Sequence, residues 1–248
     1  MLIKITESCS MGCSHCLSDC KPCDKHMTLE TLNNLLKFII RNDVSNEIII
    51  SGGEPTEHPE FEKFINIIID TLKSIPRFKI IAIATNGFWI LENIDKAKEI
   101  VNKSDEFTQV YFQASTDSRY YPKKLDPTKR IWREKGFVLC ENCVEQINPM
   151  GRAFENKIPT DKKASSCANI RMISKQLFLK NNKLFSFKDI VDTMFMNNKV
   201  CTPVINYCGD IFLGESSLCT KCSSIFKDEK DIVKDILNFK CDKCNLNK

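Results

Sequence analysis

An α/β fold of alternating parallel strands and helices, with a small cysteine-bearing unit at its C-terminal end, is what the sequence predicts. Three observations point to it. Over residues 1–155, short β-branched runs alternate with stretches of helical periodicity, which is the pattern of βα units. The run Ile48, Ile49, Ile50 is continuously apolar, as a strand covered on both faces should be. From Cys201 onward, cysteines bracket a segment that alternates like a hairpin. The chain therefore divides into 1–155, a linker and bridging segment 156–200, and a terminal unit 201–248.

Strands are expected at 2–6, 47–51, 79–84, 108–114 and 144–147. The first helix starts after Thr28, a good N-cap, and aligns Leu29, Leu32, Leu36, Ile39 and Ile40 on one face. The second has Pro59 in its first turn and stacks Phe61, Phe64, Ile65, Ile68 and Leu72. These side chains are core. Residues 187–195 form an amphipathic bridging helix, 203–213 a hairpin turning at Gly209, and 228–237 a short final helix.

With 42% apolar residues, the 248-residue chain has ample material for a core. Its 36 basic and 32 acidic side chains leave a net charge of only +4, which argues against nucleic acid or a membrane surface as partner. The longest apolar stretches, 65–69 and 80–84, fall far short of the roughly 18 residues of a membrane span. Without a signal-peptide pattern at the N-terminus, the expected location is cytoplasmic. Fourteen cysteines in a reducing compartment, several in Cys-x-x-Cys pairs, then point to metal ligation rather than disulfides.

Cys9, Cys13 and Cys16 lie in the run Cys-Ser-Met-Gly-Cys-Ser-His-Cys, directly after the first strand. A structural zinc site usually takes four protein ligands. Three thiolates on one short loop instead suit three irons of a [4Fe-4S] cluster, leaving the fourth iron open. This spacing, with His15 in the position before the last cysteine where an aromatic is often found, resembles the radical S-adenosylmethionine (radical SAM) enzymes.

The resemblance implies a partial (β/α)6 TIM-like barrel with a small C-terminal β-hairpin/helix iron-sulfur domain. It also implies S-adenosylmethionine, cleaved by one electron to methionine and a 5'-deoxyadenosyl radical, and an electron donor of flavodoxin or ferredoxin type. In such a barrel the segments after the strands share one rim. Gly52, Gly53, Glu54 and Pro55 follow strand two and resemble the motif that meets the methionyl amino group, with the glycines allowing close backbone approach to the ligand. Thr85, Asn86 and Gly87 are similar to the third-strand terminus of the family, although Asn-Gly reads equally as a simple turn. Ser115, with Gln113 and Asp117, is placed on the ribose and the methionine carboxylate. Arg152 would pair with that carboxylate, the alternative being a solvated arginine.

Cys201, Gly214, Cys219 and the pair Cys241 and Cys244 resemble the twitch domain, a shortened SPASM domain, which implies one auxiliary [4Fe-4S] cluster on those four thiolates. A four-cysteine zinc ribbon would show similar pairs, and Cys222 offers an alternative partner to Cys219. Cys20, Cys23, Cys140, Cys143, Cys167 and Cys208 are left as plain or peripheral thiols, with substrate contact or further metal open to them. The first two are expected at the opposite end of the barrel from Cys140 and Cys143. His26 and His58 read as loop and helix-cap residues. The functional expectation is hydrogen abstraction from a peptide or small metabolite, with net oxidation aided by the auxiliary cluster. The alternatives are a redox-neutral epimerase or activase, and a non-enzymatic iron-sulfur or zinc module.

Overall fold

The computed structural model describes residues 1–44, 46–75, 79–141, 151–159, 186–196 and 203–239. Eight strands form one sheet: β1 (Leu2–Lys4), β2 (Glu47–Ser51), β3 (Lys79–Thr85), β4 (Thr108–Thr116), β5 (Phe137–Glu141), β6 (Val204–Ile205), β7 (Asp210–Phe212) and β8 (Ser223–Ser224), in the order β5-β4-β3-β2-β1-β6-β7-β8. From β5 through β1 to β6 all neighbours are parallel, and the β6–β7 and β7–β8 pairs are antiparallel. The cofactor-loop strand β1 is therefore central, with the C-terminal hairpin paired to its far side.

Period-two alternation divides the sheet into two faces. Ile48 and Ile50, Ile81 and Ile83, and Val110 and Phe112 enter the core beneath α1 (Leu29–Arg41) and α2 (Phe61–Lys73). The opposite, open face carries the half-buried Lys4, Ser51, Gln113, Ser115 and Cys140, brought alongside one another by the registers Lys4↔Ser51 and Ser115↔Cys140. Polar groups are tolerated there because these positions are only half-buried.

Thr28 caps α1 as expected, its Oγ1 accepting the Thr31 N–H at 3.1 Å. The buried face of α1 is Leu32, Leu35, Leu36, Phe38 and Ile39, whereas Ile40 is 47% exposed. One residue beyond Ile39 is a turn of about 100° around the helix, which carries Ile40 off the apolar stripe. All five expected residues of α2 are buried.

The fifth described strand is Phe137–Glu141, not 144–147, which lies outside the described residues. Its apolar run is only three residues long and is enclosed by Gly136 and Glu141, so composition alone hides it; pairing with Phe112 to Thr116 of β4 makes it a strand. The sixth parallel strand is β6, which lies between β1 and β7 on the side of the sheet away from β5. The helix Phe187–Met196 buries Phe187, Ile190 and Val191 against the core, with Phe187 edge-to-face on Phe38 at 5.1 Å. Burying such a phenylalanine contributes about 1.5 to 3 kcal/mol. The hairpin turns at Gly209, and the last helix, Glu229–Asn238, follows Asp228 and buries Ile232, Val233 and Ile236.

Candidate cofactor site

The chain leaves β1 at Thr6 and returns to it at His26, where the two pair antiparallel. Glu7 N–H donates to Lys25 O (2.9 Å), Cys9 N–H to Lys21 O (3.3 Å), and Thr6 Oγ1 lies 2.8 Å from His26 Nδ1. The three cysteines thus sit on a loop whose stems are stapled at the base. Glu57 holds its tip, accepting Ser8 Oγ at 3.0 Å and both the N–H and Oγ of Ser10 at 2.7 Å. That carboxylate escaped the sequence reading because Glu57 is part of no motif.

Gly53 packs against this loop rather than facing outward. Its N–H donates to Thr6 O and the Glu54 N–H to Ser8 O, at 2.9 and 2.7 Å. A Cβ on Gly53 would lie 2.2 Å from Ser8 O, and one on Gly52 2.5 Å from Thr6 O. The close approach that requires glycine is therefore made with the cysteine loop's own backbone.

Glu54 is 3% exposed and joins the ends of β2 and β3. Its Oε1 accepts Thr85 Oγ1 (2.7 Å), Thr56 Oγ1 (2.8 Å) and Thr56 N–H (3.2 Å), and its Oε2 accepts Asn86 N–H (2.6 Å). Burial pushes its proton affinity up while these donors oppose that. A carboxylate has about four lone-pair sites, two on each oxygen, so Oε2 retains acceptor capacity for one further donor such as an ammonium. Thr85 Oγ1 also accepts the Gly87 N–H, and Asn86 Oδ1 the Phe88 N–H, so both side chains build the turn at left-handed Gly87.

Asp117, after β4, accepts two hydrogen bonds from the Arg119 guanidinium, at 2.9 and 2.7 Å. Its side chain is 1% exposed and that of Arg119 is 50% exposed. The next residues, Tyr120 and Tyr121, enclose His15, each ring 5.2 Å from the imidazole. Tyr120 O also accepts the Ser14 N–H at 3.0 Å. Burial raises the Tyr121 phenol, and the charges of Cys13, Asp117, Cys16 and Glu54 add to this. No motif marked either tyrosine. His15 Nδ1 is buried without a hydrogen-bond partner among the described residues.

Arg152 stands behind the loop. It donates from Nη2 to Cys20 O (2.7 Å) and pairs with Asp19 (3.2 Å), and its N–H bonds Cys16 O (3.0 Å). Gly151, at φ +58°, leaves only 2.4 Å between an added Cβ and Cys16 O. The side chain expected on a cofactor carboxylate is thus engaged in clamping the third cysteine. Gln113 Nε2 lies 3.7 Å from Cys140 Sγ, and Ser115 is half-buried on the open face.

Burial, with the mutual repulsion of neighbouring thiolates, pushes Cys13 up to about 12. Cys9 rises to about 11, chiefly by burial, while a hydrogen bond with Cys20 pulls Cys16 down. Cys9 and Cys13 are thereby held as neutral thiols in the free protein, and a bound metal cluster would stabilise them as thiolates. Among the described residues no three His, Cys, Asp or Glu converge on a single ion. Ligands to three different irons of a cluster need not converge in that way. The acceptor on Glu54 and the unpartnered His15 nitrogen beside the loop also fit a polar cofactor.

A chain with parallel βα units and a three-thiol loop at the strand ends is a cluster-binding α/β enzyme. The sequence profile of the Radical SAM superfamily matches residues 3–135, more than half of the chain, and the protein belongs to that superfamily. It is a radical SAM enzyme, and the family's cofactors are a [4Fe-4S] cluster and S-adenosylmethionine. Over 101 residues it is 29% identical to a GTP 3',8-cyclase of Pasteurella multocida (strain Pm70), covering 39% of this chain but only 28% of the cyclase. SuiB of Streptococcus suis bound to precursor peptide SuiA superposes with a TM-score of 0.59 at 14% identity, over 97% of this chain and 67% of SuiB. BtrN in complex with AdoMet and 2-DOIA gives 0.58 at 11% identity, over 98% and 82%. At these identities the two structures share the fold. Among the described residues no helix is long and apolar enough to cross a membrane.

A pH experiment tests the Asp117 anchor. Arg119 holds its carboxyl below the usual range, so this stabilisation is full above the unfolded pKa of about 4 and is lost as pH falls through the folded value. Asp117→Asn is expected to lower stability only modestly at pH 7, because the Arg119 partner is half exposed and solvent screens the pair. In urea melts, the gap to wild type should close as the pH falls below the folded value; a gap independent of pH would remove the ion pair from the account.

Proposed function

We propose that this enzyme abstracts hydrogen from a peptide or small metabolite and achieves a net oxidation, with one auxiliary [4Fe-4S] cluster held by Cys201, Cys219, Cys241 and Cys244. The observation that carries the reading is a 330 Å³ cavity between the cysteine loop and the C-terminal hairpin, lined by Lys4, Asn206, Phe212 and Cys219 among others. Because β6 pairs directly with β1, groups held by the terminal unit lie beside the cofactor loop. Cys219 faces this cavity, whereas Cys222 packs against the hydrophobic core, which favours Cys219 as the ligand. The other three assigned cysteines lie outside the described residues.

When bound, the cluster and S-adenosylmethionine supply an electron and a cleavable carbon–sulfur bond, the source of the 5'-deoxyadenosyl radical. The protein's part is positional. In this reading Glu54 Oε2 receives the methionyl ammonium, His15 and Tyr121 wall the adenosyl side, and Ser115, Gln113 and Asp117 border the ribose and carboxylate. Gly52, Gly53, Thr85 and Asn86 shape the rim that holds them, and Arg152 keeps the third thiolate in place. A flavodoxin- or ferredoxin-type protein supplies the electron. SuiB, solved with a precursor peptide, and BtrN, solved with 2-DOIA, span the two substrate classes considered.

The test is anaerobic turnover with dithionite, S-adenosylmethionine and peptides or metabolites encoded or made near the gene. Loss of two hydrogens from the product, matched by 5'-deoxyadenosine, is the expected result; a product of unchanged mass with inverted stereochemistry would establish the redox-neutral alternative. Changing all four assigned cysteines to Ala should abolish product while leaving slow 5'-deoxyadenosine release, because the first cluster and its loop are untouched.

A further inference from the structure

Cys20 and Cys23, on the returning arm of the cofactor loop, line the same 330 Å³ cavity as Cys219 of the C-terminal unit. The two segments are sewn together there. Ser217 N–H donates to Leu17 O (3.1 Å), and Glu215 O accepts both Lys4 Nζ (3.0 Å) and Ser18 Oγ (2.8 Å). Cys20-Lys-Pro-Cys23 has the two-residue spacing of a thiolate metal pair. Three cysteines from two distant stretches of chain therefore line one space, the Cys20 thiol being also hydrogen-bonded to Cys16, and a soft, thiophilic centre is the ligand class they select.

The charge around them is suited to thiolates. Lys4 reaches into the cavity and spends its donors on a hydroxyl and a carbonyl, so its positive charge is not cancelled by a carboxylate in those contacts. Lys25 and Lys21 line the same wall, paired with Glu7 and Asp19. No three of these groups converge on one ion, and the same holds for Cys9, Cys13 and Cys16 on the family's cluster loop. Ligands to separate irons of a cluster do not require such convergence.

We propose that the second iron-sulfur cluster is held between the two parts of the chain, with Cys20 and Cys23 of the cofactor loop and Cys219 of the C-terminal unit as three of its ligands. This rests on the reading that an auxiliary cluster exists, and it changes which thiols hold it. The arrangement would fasten the C-terminal unit to the cofactor loop and set the second cluster close to the first.

The decisive measurement is iron and zinc per chain after anaerobic reconstitution, with the electron paramagnetic resonance signals of the dithionite-reduced protein. Wild type should hold about eight irons, and Cys23→Ser about four, with one of two signals lost and 5'-deoxyadenosine release retained. Cys20→Ser should likewise lose about four irons. Since Cys20 is buried beside Cys16, Cys23→Ser, at a half-buried position, keeps the test independent of folding. Cys208→Ser, exposed on the hairpin turn and outside the cavity lining, should keep eight.

Eight irons in Cys23→Ser would overturn the proposal and leave the C-terminal ligand set standing. If 5'-deoxyadenosine release falls in step with the iron, Cys23 only props the cofactor loop and the proposal is overturned. A wild type with four irons would remove the auxiliary cluster altogether, and stoichiometric zinc lost on Cys23→Ser would show the wrong metal.

Discussion

Changing Cys9, Cys13 and Cys16 together to Ala is expected to abolish 5'-deoxyadenosine release and to remove about half of about eight irons per chain. The effect is all-or-none if these thiols hold the cofactor cluster, as we propose, on a loop whose backbone the structure fixes by other groups. Glu57, Arg152 and the Thr6 to His26 stem fix its backbone through hydrogen bonds in which none of the three thiol side chains takes part. The variant should therefore stay folded, and its circular dichroism and melting should remain near those of the apoprotein. Retained iron with lost cleavage would mean that the thiols act on the cofactor and not on the metal.

Gly53→Val carries the second large effect, for a reason that only the coordinates supply. A cofactor-facing glycine would lose S-adenosylmethionine affinity and keep its iron. Here the added Cβ falls 2.2 Å from Ser8 O, and 2.8 Å from Glu7 O, both on the cysteine loop. Backbone cannot swing aside as a flexible side chain can, so the loop must move and the bonds from Gly53 N–H and Glu54 N–H go with it. Overpacking of this kind costs about 1 to 3 kcal/mol or more. The expected outcome is a lower melting temperature together with reduced iron loading and cofactor binding. Normal iron with weakened cofactor binding would restore the direct-contact account.

Much of the framework was legible in the residue pattern. Four of the five strands expected over residues 1–155, both long helices, the Thr28 cap and the Gly209 hairpin follow from local rules of periodicity and turn chemistry, each satisfied within about a dozen residues. The strand Phe137–Glu141 was missed because its apolar signal is too short to stand out without its partner β4. Ile40 was misplaced because a wide apolar stripe does not reveal where it meets solvent.

What the sequence determined by itself was the family, and with it a [4Fe-4S] cluster and S-adenosylmethionine as the family's cofactors: three thiols at fixed spacing after a strand form a local arrangement, needing no distant partner to be recognised. What the tertiary structure decided was how distant groups meet. Glu57 reaches the loop from another βα unit, Tyr120 and Tyr121 enclose His15 from beyond β4, and Arg152 clamps the cysteine loop from behind. Cys20 and Cys23 share a cavity with Cys219, about two hundred positions away, because β6 pairs with β1. Such contacts are set by strand order and register, and in a sheet those depend on which surfaces can be buried together, which no local window of sequence contains.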